Sequence, residues 1–456
     1  MTKWTITRRA GLASVAAAAL CAMQPLPAAA QTKDPVRVGL VSSKSGVFAQ
    51  MGEEVIRAVR FAIDEANAKG GIDGRKVEVQ EGDDEGTPEA GRRVSEKLAR
   101  DGYNLLIGAI PSSISLALAP NLERWDALYF VVASKSDKIT GDTCSPRSFR
   151  TNHSDAMDIA MIDAWAGSLP QKTYATLAAD YVWGRGSAEA FAKAVKVQNK
   201  EVKLQLYAPL GTKDFSPYIA QLKEANVEAV WVAEVGRDAI AFIKQAEEFG
   251  LIPKTKLIGH SLILNFMIDA SGNALEGTPG TTGYTPDINT PRNKAFVAAW
   301  KAKFNRLPTD NEGQAYNGAQ IMFEGVARAK SVKPLDIAKA LKGAQMDSIY
   351  GDVTMRAADN QLLMPNYIGR AKKIDGVLRP SIELAFKADI VPRLQVDAIL
   401  AANIPLIAPA AYPALKGARL NYQAQEKQLA VTATQILQSV AVAYYAAAGN
   451  DELVNA

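Results

Sequence analysis

Cysteine and histidine are scarce here: the 456 residues hold two of each. Cys21 lies in a segment read below as a removable leader, so Cys144 would stand alone and no intramolecular disulfide could brace the mature chain. Its stability must then come from buried apolar surface. His153 and His260 stand far apart, with no His-Glu-x-x-His pair and no Cys/His cluster, which argues against a zinc centre. There is no Gly-x-Ser-x-Gly elbow and no Walker A loop, and Gly184-Arg185-Gly186 lacks the third glycine of a dinucleotide fingerprint. The expectation is a chain with no catalytic residue, cofactor or metal, and so not an enzyme. Asp83-Asp84, at a strand end, reads as a turn or cap pair.

An excess of one charge is also missing. Taking Lys3, Arg8 and Arg9 of the leader from the 52 basic residues leaves a near balance with the 48 acidic ones, with no basic run or acidic tail. Nothing asks for nucleic acid or an anionic membrane surface as partner. Residues 10–23 are too short an apolar run for a good membrane anchor, and residues 436–448 are interrupted by Gln438 and Ser439.

What is present begins with the leader. A basic start, the apolar run, the breakers Pro25 and Pro27, and Ala28-Ala29-Ala30 before Gln31 make a secretory signal over residues 1–30. Export to the periplasm with cleavage near Ala30 is expected. Thr7-Arg8-Arg9-Ala10-Gly11-Leu12 leaves both the general and the twin-arginine route open.

From residue 36 onward, apolar strands alternate with amphipathic helices. Residues 36–41 read as a strand and Gly46 and Gly52 as a loop; Val55, Val59, Ala62, Ile63 and Ala66 then recur at helical spacing until Gly70-Gly71. Strands at 76–80, 105–108 and 128–132 follow, with helices at 88–100 and 116–124. The alternation restarts after Thr151, with strands at 174–177, 202–207, 229–232 and 256–259 and helices at 187–198, 215–225 and 238–249. This is an α/β pattern with parallel sheets covered on both faces, repeated to give two Rossmann-like lobes. Helices at 291–304 and 312–329 read as returns to the first lobe. The expected division is 36–151 plus 283–356 for lobe one and 152–282 plus 357–390 for lobe two, with an unassigned Ala-rich tail over 391–456.

Open α/β sheets bind ligands at strand carboxyl ends. Ser112 and Ser113 stand there, where hydroxyls and free N–H groups suit a carboxylate or amide oxygen or simply cap a helix. Ser134 and Lys135 follow the next strand, and Lys135 offers positive charge to an anion. Tyr181 and Trp183 follow the first strand of lobe two, to pack on a ligand or between lobes. Glu234 follows the strand at 229–232.

These residues carry a resemblance. Val38-Gly39-Leu40 leading to Gly46, the run Asp64-Glu65-Ala66-Asn67-Ala68-Lys69-Gly70-Gly71-Ile72-Asp73-Gly74-Arg75, then Gly82-Asp83-Asp84, Ile107-Gly108 with Ser112-Ser113, Leu118-Ala119-Pro120, and Asp180-Tyr181 through Gly184 resemble the periplasmic leucine/isoleucine/valine-binding proteins of ABC transporters over about residues 36–387. The resemblance implies two lobes joined by three crossovers, the fold of a type I periplasmic binding protein, closing on a small-molecule ligand. It implies an inner-membrane ABC permease as partner and a monomer. It places Ser112, Ser134 and Lys135, Tyr181 or Trp183, and the loop after Gly259 in the pocket. Where an amino-acid binder has an acidic residue for the ligand's ammonium, this chain has His260-Ser261, with Glu234 as a substitute. A branched-chain amino acid is the family's usual ligand; an aromatic carboxylate is the rival, and a sensory ligand-binding module the rival role.

Overall fold

The computed structural model describes Met1 and residues 33–386. The rest of the leader, residues 387–390 and the tail lie outside the described residues.

The first sheet takes β1 (Val36–Ser42), β2 (Val77–Asp83), β3 (Leu105–Gly108), β4 (Leu128–Val131) and β5 (Ser148–Arg150), linked by α1 (Ala49–Ala68), α2 (Pro88–Arg100) and α3 (Ser112–Leu118). Its order is β2-β1-β3-β4-β5, every neighbour parallel. β3, β4 and β5 are buried along their whole length, as strands covered on both faces are; β3 and β4 read as apolar runs, whereas β5 is Ser148-Phe149-Arg150 and does not announce itself.

After α4 (Asp155–Ala166) the same plan is repeated. β6 (Thr173–Ala179), α5 (Val182–Val197), β7 (Glu201–Ala208), α6 (Ser216–Ala225), β8 (Ala229–Ala233), α7 (Gly236–Glu248), β9 (Lys256–Gly259), α8 (Asn265–Ser271) and β10 (Pro279–Thr282) build a parallel sheet in the order β7-β6-β8-β9-β10. The chain then runs through α9 (Pro291–Phe304), α10 (Asp310–Ala329) and α11 (Pro334–Leu341) into a small antiparallel sheet of β11 (Gln345–Ser348), β12 (Gly351–Met355) and β13 (Leu362–Leu363). Finally β14 (Asn366–Ile374) and β15 (Val377–Phe386) extend the second sheet antiparallel beyond β10. The returning helices pack on the first lobe: Phe61 of α1 meets Trp300 of α9 at 5.0 Å and Tyr316 of α10 at 5.9 Å between ring centroids. The two α/β lobes are therefore joined by three crossings, after β5, after β10 and before β14. Among the described residues no helix is long and apolar enough to cross a membrane.

Both lobes reverse direction at their first strand, and both press the following helix onto that strand's end. A Cβ on Gly52 would stand 1.7 Å from the Ser43 carbonyl oxygen, and one on Gly184 would stand 2.1 Å from that of Ala179. Only glycine permits this approach. Gly52 thus lies inside α1 rather than in a loop, and Trp183 inside α5. Ser112 opens α3, ahead of the expected start at 116. These starts have Phe48, Tyr181 and Pro111 at the N-cap with no side-chain cap bond. Packing on the strand end sets them, so no Ser, Thr or Asp announced them.

Candidate ligand-binding site

The carboxyl ends of the two parallel sheets face one cavity. Ser112, Lys135, Tyr181, Trp183 and Ser261 all line it, drawn from four loops and helix starts of both lobes. Met51, Ile110, Val235, Leu264 and Met267 supply apolar wall. Asp310, Asn311 and Gln314, at the start of α10, complete the lining from the first lobe.

The loop that carries Lys135 is held by residues at the first crossing. The fully buried Arg150 guanidinium donates to the Lys135 and Ser136 carbonyls at 3.1 and 2.6 Å, Asn152 Nδ2 to the Ser134 carbonyl at 3.2 Å, and the Asp155 N–H to the Lys135 carbonyl at 2.8 Å. The Ser136 N–H donates to Ser112 Oγ at 3.2 Å, which ties the two first-lobe loops together.

Lys135 ends one directed chain of hydrogen bonds. Its Nζ donates to Asp158 Oδ2 at 2.8 Å and to Ser261 Oγ at 3.2 Å. Asp158 Oδ2 also lies 2.7 Å from His260 Nε2, and a carboxylate can only accept, so Nε2 carries the proton. His260 Nδ1 then accepts from Ser187 Oγ at 2.8 Å, and Ser187 Oγ accepts from Trp231 Nε1 at 3.1 Å. Burial favours a neutral Lys135, yet the adjacent Asp158 carboxylate outweighs it and raises the ammonium's pKa. Burial likewise disfavours the Asp158 anion, but Lys135 and the His260 hydrogen bond hold its carboxyl well below the usual range. His260 is kept neutral by its burial, which exceeds the pull of Asp158. Ser187 and His260 are fully buried and their hydrogen bonds are spent within this chain, so the Ser-His-Asp set orients Lys135 and offers no exposed nucleophile.

Three expected site residues stand elsewhere. Ser134 turns its hydroxyl into the first lobe, 2.7 Å from Ser115 Oγ and within reach of the Ala109 and Ile110 carbonyls. Ser113 is half-buried and outside the lining. Glu234 is buried outside the lining, neither oxygen has a partner, and burial drives its pKa well above the usual range.

Sequence reasoning missed Asp158, Asp310, Asn311 and Gln314. Asp158 sits on the buried face of α4 with Met161, Ile162 and Trp165, where a carboxylate breaks the apolar pattern and hides the helix. The α10 residues were legible: Thr309-x-x-Glu312 is a capping box, and it sets the helix start at Asp310. Asp310 Oδ2 accepts from Thr282 Oγ1 and from the Gly283 and Tyr284 N–H groups at 2.8–3.0 Å, and Oδ1 accepts from Gln314 Nε2. Its burial raises its pKa, with Lys135 opposing. Among the described residues no group of three His, Cys, Asp or Glu is arranged to hold a metal ion.

Known proteins of this shape agree. A family model described as periplasmic binding protein matches residues 35–376. A Leu/Ile/Val-binding protein homolog of Brucella melitensis is 25% identical over 387 residues, covering 81% of this chain and 92% of its own. The leucine-specific-binding protein of Salmonella typhimurium is 27% identical over 328 residues, covering 70% and 86%. The solute-binding protein of an ABC transporter from Rhodopseudomonas palustris BisB5, solved with 3,4-dihydroxybenzoic acid, superposes with a TM-score of 0.73 at 26% identity over 78% of this chain and 98% of its own. With two lobes, three crossings and an interlobe cavity, and with three quarters of its length matched, this chain belongs to the periplasmic binding protein family.

Proposed function

We propose that this chain is the extracytoplasmic solute-binding component of an ABC importer, exported with its leader cut near Ala30, and that it clamps a small carboxylate between its lobes for an inner-membrane permease. The observation that carries this reading is Lys135: a buried ammonium on the cavity wall, held by Asp158 and Ser261, with Ser112 lining the same lobe and Tyr181 and Trp183 lining the cavity from the other. An ammonium has three N–H donors, so Lys135 keeps one beyond its bonds to Asp158 and Ser261 that a carboxylate in a closed, water-poor cleft can take. The aromatic pair and the five apolar residues suit a flat or branched apolar body.

The arrangement favours a carboxylate without an α-amino group. Asp158 already serves Lys135, Asp310 is filled by four donors, and Glu234 lies outside the lining, so no lining carboxylate is free for an ammonium. An aromatic carboxylate fits, as in the Rhodopseudomonas palustris relative; a branched-chain amino acid is the second reading, favoured by the names of the Brucella and Salmonella relatives. Titration calorimetry of the mature protein with benzoate, 3,4-dihydroxybenzoate and leucine separates the two. Benzoate-type binding that falls at least about tenfold in Lys135→Met supports the proposal. Leucine binding alone, unaffected by that substitution, would overturn it.

A further inference from the structure

Trp183 and Gln314 face the same cavity from opposite lobes, and each brings a polar atom with no partner in the protein. Trp183 is 4% exposed, and its indole Nε1–H finds no acceptor. Its ring is held at 6.0 Å from Tyr181 and 5.1 Å from His260, so it is not free to turn away. Gln314, also 4% exposed, gives its Nε2–H to Asp310 Oδ1. That bond sets the orientation of the amide and leaves Oε1 without a donor. The Gly283 backbone closes the space behind it: a Cβ there would stand 2.6 Å from Gln314 Cδ.

A buried donor and a buried acceptor left unpaired are each unfavourable, and proteins rarely keep such groups. Here one stands on each jaw of a clamp. We propose that Trp183 Nε1 and Gln314 Oε1 together recognise a second polar group of the solute, a hydroxyl or primary amide, that accepts from the first and donates to the second. This rests on the solute-binding reading above and concerns the same cavity. A hydroxyl has both a hydrogen and lone pairs and satisfies both atoms. A ketone or ether satisfies only Trp183, an ammonium only Gln314, and a methyl neither. Because the two atoms belong to different lobes, such a group would also be bound fully only when the clamp is closed.

Matched pairs of solutes test this by calorimetry on the mature chain: benzoate against 3- and 4-hydroxybenzoate, and isovalerate against 3-hydroxyisovalerate. The hydroxylated member of at least one pair should bind wild type about tenfold tighter or more, since a site built to hydrogen-bond a hydroxyl rejects the analogue lacking it. That ratio should fall below about threefold in both Trp183→Phe and Gln314→Met, each checked for a wild-type circular dichroism spectrum. Equal affinity within every pair for wild type, or a preference that survives both substitutions, would overturn the proposal. Lys135→Met keeps the two readings apart: unchanged affinities there remove the carboxylate cradle, while the hydroxyl ratio is still read independently. If wild type binds no member of any pair, both readings fall.

Discussion

Glu54 shows how a single buried carboxyl ties stability to pH. It is 2% exposed in α1, hydrogen-bonded at 2.7 Å by Asn311 Nδ2, and burial raises its pKa from 4.5 to about 7, against the pull of that hydrogen bond. The folded state thus holds this proton more tightly than the unfolded chain does. The group's stabilisation is complete below pH 4.5 and is lost as pH rises through about 7, a change on the order of 3 kcal/mol. Urea unfolding across that window should show falling stability in wild type and a flatter profile in Glu54→Gln. An identical slope in both would exclude Glu54 as the source. At the cavity, Trp183→Ala should weaken solute binding by about 1–3 kcal/mol, the scale of one packed aromatic anchor, with the fold retained. Unchanged affinity in a calorimetric titration would remove Trp183 from the site.

Among the elements, the start of α10 carries the heaviest duty. Asp310 binds the hydroxyl of Thr282 and the N–H groups of Gly283 and Tyr284, so one side chain pins the second crossing to a first-lobe helix. Asp310→Ala would leave those buried donors unpaired, at about 1–3 kcal/mol for each one that finds no water. We expect a loss of about 3 kcal/mol by chemical denaturation, with Asp310→Asn milder because its amide oxygen still accepts. Equal stability of wild type and Asp310→Ala would show that the crossing is pinned elsewhere. The loop of Lys135, in the same lobe, has the same logic at the first crossing, where Arg150, Asn152 and Asp155 hold its carbonyls. Both supports come from crossing segments or the elements beside them.

For the whole molecule, one close backbone approach between the lobes bears on closure. Gly236, at the start of α7, has φ +54°, and a Cβ there would stand 2.3 Å from the Val47 carbonyl oxygen in the loop before α1. Gly236→Ala should therefore stop the lobes from closing this far. The expected result is a folded protein whose solute dissociates at least about tenfold faster and which stays extended in small-angle scattering when solute is added. Wild-type compaction on solute addition would refute this. We propose the lobe division as residues 36–151 plus 283–356 and 152–282 plus 357–390, and a monomer as the working unit.

The loop of Ser261 is reached through the family resemblance, whereas the chain alone specified the α/β class, the repeated unit and the positions of Ser112, Lys135, Tyr181 and Trp183 at strand carboxyl ends. Those follow from local periodicity, and the strand-end rule needs no partner across the cleft. The tertiary structure alone decided which of the expected residues meet. Ser134 and Lys135 are neighbours in sequence, yet one hydroxyl is spent on first-lobe carbonyls while the other side chain reaches Asp158. Asp158 and His260 are far apart in the chain and become a single hydrogen-bonded unit only because α4 and the end of β9 pack together. A buried carboxylate looks like a fault in an amphipathic pattern, and its counter-charge lies on another segment. Only the folded chain brings the two within hydrogen-bond reach, where ion pairing outweighs the cost of burial.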